Sequence, residues 1–473
     1  MRPVYPVAAV RAAEADLMAR LPEGALMQRA AAGLARRCAV LLREGRGGVY
    51  GAHVLLLVGS GDNGGDALYA GARLAGRGAR VSALLLAPER AHAGGLAALV
   101  RAGGRVTDGV PADAELVVDG IVGIGGRGGL RPDAARAVAA ASLTGAPIVA
   151  VDLPSGVDAD TGAVPGDAVR ADVTVTFGCL KPGLVVGPGA VHAGVVEVVD
   201  LGLPLRETAL GVPEVADIEA TWPRPVPGDD KYTRGVVGIA AGSARYPGAA
   251  VLAVGAALTG PVGMVRYAGA AAGRVRAAHP EVIVTDSVAE AGRVQAWAVG
   301  SGLGTDAAAA ATLRRVLGTD VPVLVDADAL TLLAEHPAWL RERTAPTVLT
   351  PHDREFERVF GPVGEDRVAA ARRAAEQFGC TVLLKGDRTV VAGGGRCLVN
   401  PTGTAVLASA GTGDVLSGLG GSLLAGGLPA VDAAAAAAFV HGLAGRIAAE
   451  AGPVSASAVL AGLRPAVRTV LGD

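Results

Sequence analysis

The feature that most constrains this chain is an alternation. Short apolar runs of strand length each lead into glycine, proline or an acid, and helical patterns separate them. In the first half, VLLLV at 54–58 is followed by a glycine-rich loop, the helical pattern ALYAGARLAGRG and a second strand, VSALLLA at 81–87. Strand, helix and strand in that order make a βαβ unit, and such units build a parallel sheet. ELVVDGIV at 115–122, PIVAVD at 147–152, VTVTF at 173–177 and VVEVVDL at 195–201 continue the series. The second half restarts it with GVVGIAAGS at 235–243, WAVGSGLG at 297–304, VPVLVDADAL at 321–330, TVLTPHDREF at 347–356 and TVLLKGDRTVVAGGG at 381–395. In open parallel sheets ligands bind beyond the carboxyl ends of the strands, so chemistry is expected at these endings. Between the halves, residues 204–230 hold five prolines and no sustained period, which reads as a domain boundary.

A chain of 473 residues has room for two large α/β domains. Its net charge of −2 gives no electrostatic reason to expect nucleic acid or an anionic membrane as partner. Charges at positions 11, 14 and 16 break the apolar core a signal peptide needs, so a cytoplasmic chain is expected. Residues 246–265 carry no charge and have the length of a membrane span, but two prolines and four glycines interrupt them; a buried helix near a binding site is expected instead. The four cysteines, at 38, 179, 380 and 397, form no CxxC pair and read as buried thiols of a reducing compartment.

The polar composition is biased. Of 43 basic residues only Lys181, Lys231 and Lys385 are lysine, and Asn63 and Asn400 are the only asparagines. A lysine retained in such a chain points to a task for a compact ammonium that a planar guanidinium does not perform. All five residues fall in motif-like stretches.

In VGSGDNGGDA at 58–67, glycines between a strand and a helix allow close backbone approach, so the loop Asp62-Asn63-Gly64-Gly65-Asp66 can wrap a phosphate or a polar cofactor; a plain tight turn is the alternative. Asn63, Asp119 and Ser155 place three oxygen-bearing side chains at adjacent strand ends, a donor set suited to a hard cation such as potassium. Asp152, at a strand terminus ahead of a proline, is placed for base work, with Lys181 in TFGCLKPGL as its acid partner. In the second half, SAGTGDVLSG at 408–417 sets Asp414 among glycines at the start of a helix. Uncovered amides there suit an anion and the carboxylate suits a base beside it, while a plain N-cap is the competing reading.

VGSGDNGGD, VDGIVGIGGRGG, VDLPSGVD and TFGCLKPGL, in this order and spacing, resemble the NAD(P)H-hydrate epimerase domain, whose pattern is GNNGGDG, DxxxGTG, DxPSG and FxxxKxG. The likeness covers residues 1–210. It implies a Rossmann-like parallel sheet sandwiched by helices, substrate contacts from Asp62 to Asp66, and potassium held by Asn63, Asp119 and Ser155. It also implies a phosphate-side loop of Gly123, Ile124, Gly125, Gly126, Arg127, Gly128 and Gly129, with Asp152 and Lys181 beside the reacting ring. Asp62 replaces the pattern's first asparagine, and Ile124-Gly125 its Thr-Gly.

SAGTGDVLSG resembles the GTGD signature of the ribokinase-like superfamily. Its company, DKYTRGVVGIAAGS, YPGAA, GSGLG, DADAL, LTPHDREF and LLKGDRT, resembles the ADP/ATP-dependent NAD(P)H-hydrate dehydratase over residues 225–473. Here Arg354 stands for the glycine of TPHxGE, and GSGLG for GPGLG. The resemblance implies a ribokinase-like α/β domain with Asp414 as base. Ala250, Gly302, Gly304 and His352 would face the hydrate, and Lys385, Gly386, Asp387, Arg388, Thr389, Gly411, Thr412 and Gly413 would hold ADP with magnesium. The expected protein is a bifunctional isomerase and lyase acting on NADHX and NADPHX (the hydrates of NADH and NADPH) with ADP or ATP, free of nucleic acid and membrane, and a homo-oligomer. The alternatives are a small-molecule kinase of the same superfamily carrying a nucleotide-binding module, and an N-terminal half that binds without turnover.

Overall fold

The computed structural model describes residues 1–472 and divides into two compact units. One comprises Pro3–Thr208; the other comprises Met1 and Arg2 together with the chain from Ala209 onward.

The first unit is built on a seven-stranded sheet whose strands are all parallel. From edge to edge they are Arg105–Thr107, Arg80–Leu85, His53–Val58, Leu116–Gly120, Ile148–Val151, Val173–Phe177 and Val195–Val199. The chain builds outward from His53–Val58 to one edge, then returns to the other side of that strand as Leu116–Gly120. That reversal opens a crevice between the two strand ends, where doubly wound sheets bind their ligands. Strands buried on both faces must be apolar throughout, and His53–Val58 supplies Val54, Leu56 and Val58 to one core and Leu55 and Leu57 to the other. Helices Ala25–Arg46 and Asp62–Ala75 cover the first face, and Pro132–Ser142 the second.

The second unit repeats this architecture with a larger sheet. Parallel strands run in the order Ile283–Thr285, Met264–Ala268, Val236–Ala240, Ala296–Val299, Val323–Val325, Thr347–Leu349 and Thr381–Leu384. An antiparallel extension follows through Val390–Gly393 and Arg396–Val399, and Leu210–Val212 and Arg2–Pro3 complete the edge. The order in which strands are added reverses between the parallel neighbours Val236–Ala240 and Ala296–Val299, so the crevice lies at Gly242 and the loop 300–304. Helices Pro247–Ala257, Thr412–Ala425, Ala430–Glu450 and Ala456–Leu471 share one core.

Two expectations are corrected. The uncharged stretch 246–265 is not one helix: Pro247 opens a helix that ends at Ala257, and the residues beyond lead through Pro261 into the strand Met264–Ala268. The helix with the length and apolarity of a membrane span is Ala430–Glu450, and its alanine-rich surface is mostly buried in the core. The boundary stretch 204–230 is also partly structured. Leu210–Val212 joins the second sheet, and helix Val215–Thr221, opened by a Glu214–Asp217 capping box, puts Ile218 and Trp222 into the second core.

Candidate active sites

In the first unit, the ends of three adjacent strands carry the expected polar residues. Asp119 ends its strand fully buried and accepts from the Ser155 amide at 2.8 Å, the Ser155 hydroxyl at 2.7 Å and the Ile121 amide at 3.2 Å. Burial pushes this carboxyl up to about 6 although those hydrogen bonds pull it down. Its donors are all neutral, so its negative charge meets no side-chain cation. Asn63 donates to the Val151 carbonyl, which turns its amide oxygen toward Gly123; a Cβ at Gly123 would overlap that oxygen. Asn63, Asp119 and Ser155 are therefore brought together around residues 119–123.

Asp152 and Lys181 also meet. Lys181 is 1% exposed and donates to Asp152 Oδ1 at 2.5 Å, to Thr176 Oγ1 at 2.9 Å and to the Phe177 carbonyl at 2.9 Å. Thr176 Oγ1 and the Phe177 amide donate to the same Oδ1 at 3.0 and 3.2 Å. Every protein donor to this carboxylate thus converges on Oδ1, leaving Oδ2 for something else. Asp152 holds a φ of +67°, one of two non-glycine residues with positive φ among the described residues. Strain of this kind is retained where it aims a functional group.

The glycine-rich loop behaves differently along its length. Gly64 and Gly65 are buried, one against the Gly59 carbonyl and the other against Met27, so their missing side chains serve close packing of the helix. Asp62 is exposed at the first helical turn. Asp66 is 6% exposed with no hydrogen-bond partner for Oδ1, and burial together with Asp152, Asp62 and Glu14 pushes it up to about 8. It is a neutral acid at pH 7. Ile124 is half-buried, while Gly125, Arg127, Gly128 and Gly129 are exposed. Sequence reasoning gave no role to Thr176 or to Glu14, which the helix Val7–Met18 brings close enough to Asp152, Lys181 and Asp62 to feel their charges. Thr176 opens the TFGCLKPGL motif without a role having been read into it, and Glu14 lies outside every motif, so only the fold draws them in.

In the second unit, Asp414 lies in the first turn of the helix Thr412–Ala425, after Gly411 at φ +88°. Its carboxylate does not act as an N-cap acceptor; that end of the helix has no side-chain cap. Burial and then the nearby Asp326 push its carboxyl up to about 6, against the pull of Ser301 and Lys385. Lys385 binds Asp326 Oδ1 at 2.8 Å and stands 3.6 Å from Glu355, and a Cβ on Gly413 would lie 3.7 Å from its ammonium. Although burial works against its charge, Asp326 and Glu355 raise the Lys385 pKa. Thr350 donates to Asp326 at 2.8 Å and Ser301 lies 3.4 Å from it. The next residue, Ala327, is the second non-glycine with positive φ.

His352 caps the helix Asp353–Phe360 in a reciprocal box with Glu355. With Lys385, Gly386, Asp387, Thr389, Thr412 and Gly413 it lines one cavity of about 630 Å³. His441 also lines it; burial lowers its pKa to about 4, so its neutral ring donates from Nε2 to the Thr412 carbonyl at 2.9 Å. Arg388 turns away to the Pro401 carbonyl at 2.9 Å and does not line this cavity, and neither does Gly411. Ala250 is fully buried against Gly242, while Gly302 packs on Tyr246 and Ala249. The Gly304 amide donates to Asp328 at 2.8 Å. Asp326, Glu355 and His441 were not singled out from the sequence.

The fold and these constellations define a class: a two-unit α/β enzyme whose second unit is ribokinase-like. Residues 237–462 match the family model described as NAD(P)H-hydrate dehydratase, and residues 23–183 that described as YjeF-related protein N-terminus. The chain is 54% identical to the bifunctional NAD(P)H-hydrate repair enzyme of Mycobacterium leprae, over 99% of each chain. It belongs to the family of bifunctional NAD(P)H-hydrate repair enzymes. Among solved structures, the ADP/ATP-dependent NAD(P)H-hydrate dehydratase of Bacillus subtilis, co-crystallised with ATP and Mg²⁺, is 28% identical with a TM-score of 0.50, covering 56% of this chain and all of that one. A ribokinase-like superfamily protein of Enterococcus faecalis shares the fold at 24% identity and a TM-score of 0.52, covering 57% of this chain and 99% of that one.

Proposed function

We propose that the first unit interconverts the R and S hydrates of NADH and NADPH at C6, and that the second dehydrates the S form at the expense of ADP or ATP. In the first reaction Asp152 Oδ2 takes the proton of the C6 hydroxyl, and Lys181 supports the charge change through Oδ1. As the oxygen becomes a carbonyl the C6–N1 bond breaks, its electron pair passing to N1; N1 then closes on the other face of that carbonyl and the oxygen takes the proton back, so nothing is consumed. Asn63, Asp119 and Ser155 suit potassium: a buried carboxylate with only neutral donors gains from a monovalent cation, which would also hold the neighbouring loop in place.

In the second reaction Asp414 accepts the proton of the substrate hydroxyl as that oxygen attacks the terminal phosphorus of the nucleotide, breaking its bridging P–O bond and releasing AMP from ADP, or ADP from ATP. The amides of Gly411 to Gly413 and the Lys385 ammonium stabilise charge on the transferring group. The phosphorylated hydroxyl then leaves C6 as phosphate, pushed out by the N1 lone pair, and loss of a proton from C5 restores the ring double bond. No cluster of three His, Cys, Asp or Glu side chains able to hold a metal exists among the described residues, so magnesium fits here as a companion of the nucleotide's phosphate oxygens.

The observation that carries this reading is the isolation of Asp414. It is a half-buried carboxyl raised to about 6, at a helix start with no side-chain cap, and no cation among the described residues forms an ion pair with it. The test is to supply pure S-hydrate with ADP or ATP and follow the near-ultraviolet absorbance of reduced nicotinamide together with free phosphate. Equal release of both supports the proposal. A stable phosphorylated alcohol would assign the unit to the small-molecule kinases instead.

A further inference from the structure

The helix Val7–Met18 precedes every motif of the first unit and has no part in the chemistry above. Its placement is nevertheless fixed. The Val7 amide donates to Asp160 Oδ1 at 2.7 Å, Val7 and Val10 are buried, and Ile124 packs against the clusters that hold each of them. The side chain at 124 thus ties this helix to the glycine loop 123–129. One residue beyond Val10, Arg11 reaches over that loop: a Cβ on Gly125 would lie 3.5 Å from its Nη2. Arg11 is exposed and makes no ion pair within 4.0 Å among the described residues. Glu14, three residues along on the same helix face, looks toward Asp152 and Lys181.

A guanidinium that is in no ion pair within 4.0 Å, with Glu14 near enough to feel its charge, stands over exposed backbone beside the crevice where the sheet reverses. An arginine in that setting matches a phosphate, which takes its fork in two parallel hydrogen bonds while the loop amides take a third oxygen. We propose that Arg11 is a substrate-recognition residue of the first unit, binding a phosphate of the dinucleotide hydrate over Gly125. This rests on the epimerase reading above. Two phosphate sources share the chemistry, the diphosphate bridge of both substrates and the 2′-phosphate that NADPH alone carries. The loop's position near C6 favours the bridge.

A phosphate contact touches none of the bonds that change at C6, so it binds ground state and transition state alike, and its loss raises KM and leaves kcat in place. The experiment measures epimerisation of R-NADHX and R-NADPHX by the full-length wild type and by Arg11→Ala, Arg11→Gln and Arg11→Lys, with ADP-ribose as a competing ligand. The expected result is a KM about tenfold higher for Ala and Gln on both substrates, a smaller rise for Lys, kcat within about twofold, and an ADP-ribose inhibition constant weakened in parallel. A rise confined to NADPHX would reassign Arg11 to the 2′-phosphate and overturn the bridge assignment. Unchanged KM and inhibition constants, with wild type fully active, would overturn the inference and leave the epimerase reading standing. An inactive wild type would overturn both. Loss of kcat with a lowered melting temperature in Ala and Gln, not rescued by Lys, would make Arg11 a support of the helix and also overturn it.

Discussion

Each unit pairs a lysine with an aspartate at the carboxyl edge of a parallel sheet, and the two pairs are built differently. In the first, Lys181 is sealed from solvent and bound directly to the carboxylate expected to do chemistry. In the second, Lys385 is one-fifth exposed at the side chain and bound to Asp326 and Glu355, while Asp414, the carboxylate expected to do chemistry, stands apart and is raised to about 6. The difference follows from what is moved. In the proposed epimerisation a hydroxyl proton is taken and returned at one oxygen, which needs acid and base in contact. A phosphoryl transfer needs the cation at the phosphate and the base at the hydroxyl, so the two must be separate. Backbone strain repeats the division. The positive φ falls on the proposed base in the first unit, Asp152, and beside the lysine's partner in the second, at Ala327.

The largest test of this contrast separates the units. A fragment from Ala209 onward should dehydrate S-hydrate at near the full-length rate and lack epimerisation altogether. A fragment starting at 225 omits Ile218 and Trp222 from the core, and losing a buried aromatic alone costs about 3–5 kcal/mol, so it should melt markedly lower. Equal melting of the two fragments would show that the capped helix Val215–Thr221 adds nothing.

Within the second unit, Asp414→Asn should lower dehydration by about 10²–10⁴ with nucleotide binding and melting preserved. Because the base must be ionised and its pKa is raised to about 6, the wild-type rate should fall as pH drops through that value, and the residual Asn activity should lack this limb. A loss under tenfold would reduce Asp414 to a structural acid at the helix start.

Within the first unit, Lys181→Arg should lose at least about tenfold in epimerisation, about 1.4 kcal/mol of barrier, with the ADP-dependent step on S-hydrate unchanged. Three acceptors already surround the ammonium in a site closed to solvent, which leaves no place for a fork. Wild-type epimerisation in the Arg variant would remove the proton-handling role.

The smallest effect concerns Asp66. Its folded pKa of about 8 lies above the ordinary carboxyl value of 3.8, so between the two the folded chain holds a proton the unfolded chain has released. Stability should fall as pH rises through that window. Asp66→Asn is neutral throughout, and denaturant unfolding of the first unit should show its advantage over wild type growing by at least about 1 kcal/mol from pH 5 to pH 8. A pH-independent difference would mean that Asp66 is ionised when folded.

Much of this was legible in the sequence because strand ends announce themselves. VVDG, VDLPSG and SAGTGD put Asp119, Asp152, Ser155 and Asp414 where apolar runs stop, and the scarcity of lysine drew attention to Lys181 and Lys385. Residues whose role depends on a distant segment left no such mark. Arg11 and Glu14 sit in an ordinary amphipathic helix, and Thr176 looks like any β-branched strand residue. Asp326 stood in a quoted motif, yet its partnership with Lys385, 59 residues away, exists only once parallel strands bring their ends together. The glycines misled in the other direction: Gly64 and Gly65 look like ligand-facing positions and are buried packing sites. Proline content likewise suggested a linker where a capped helix enters the core.

The central claim, two complementary chemistries on one chain, is tested most directly by giving the full-length protein pure R-hydrate with and without ADP and following NADH and the remaining epimers. With ADP, R-hydrate should be converted completely to NADH, faster than its uncatalysed epimerisation allows. Without ADP it should stop at an equilibrium mixture of R and S with no NADH formed. NADH appearing only at the uncatalysed epimerisation rate, or not at all, would contradict the account.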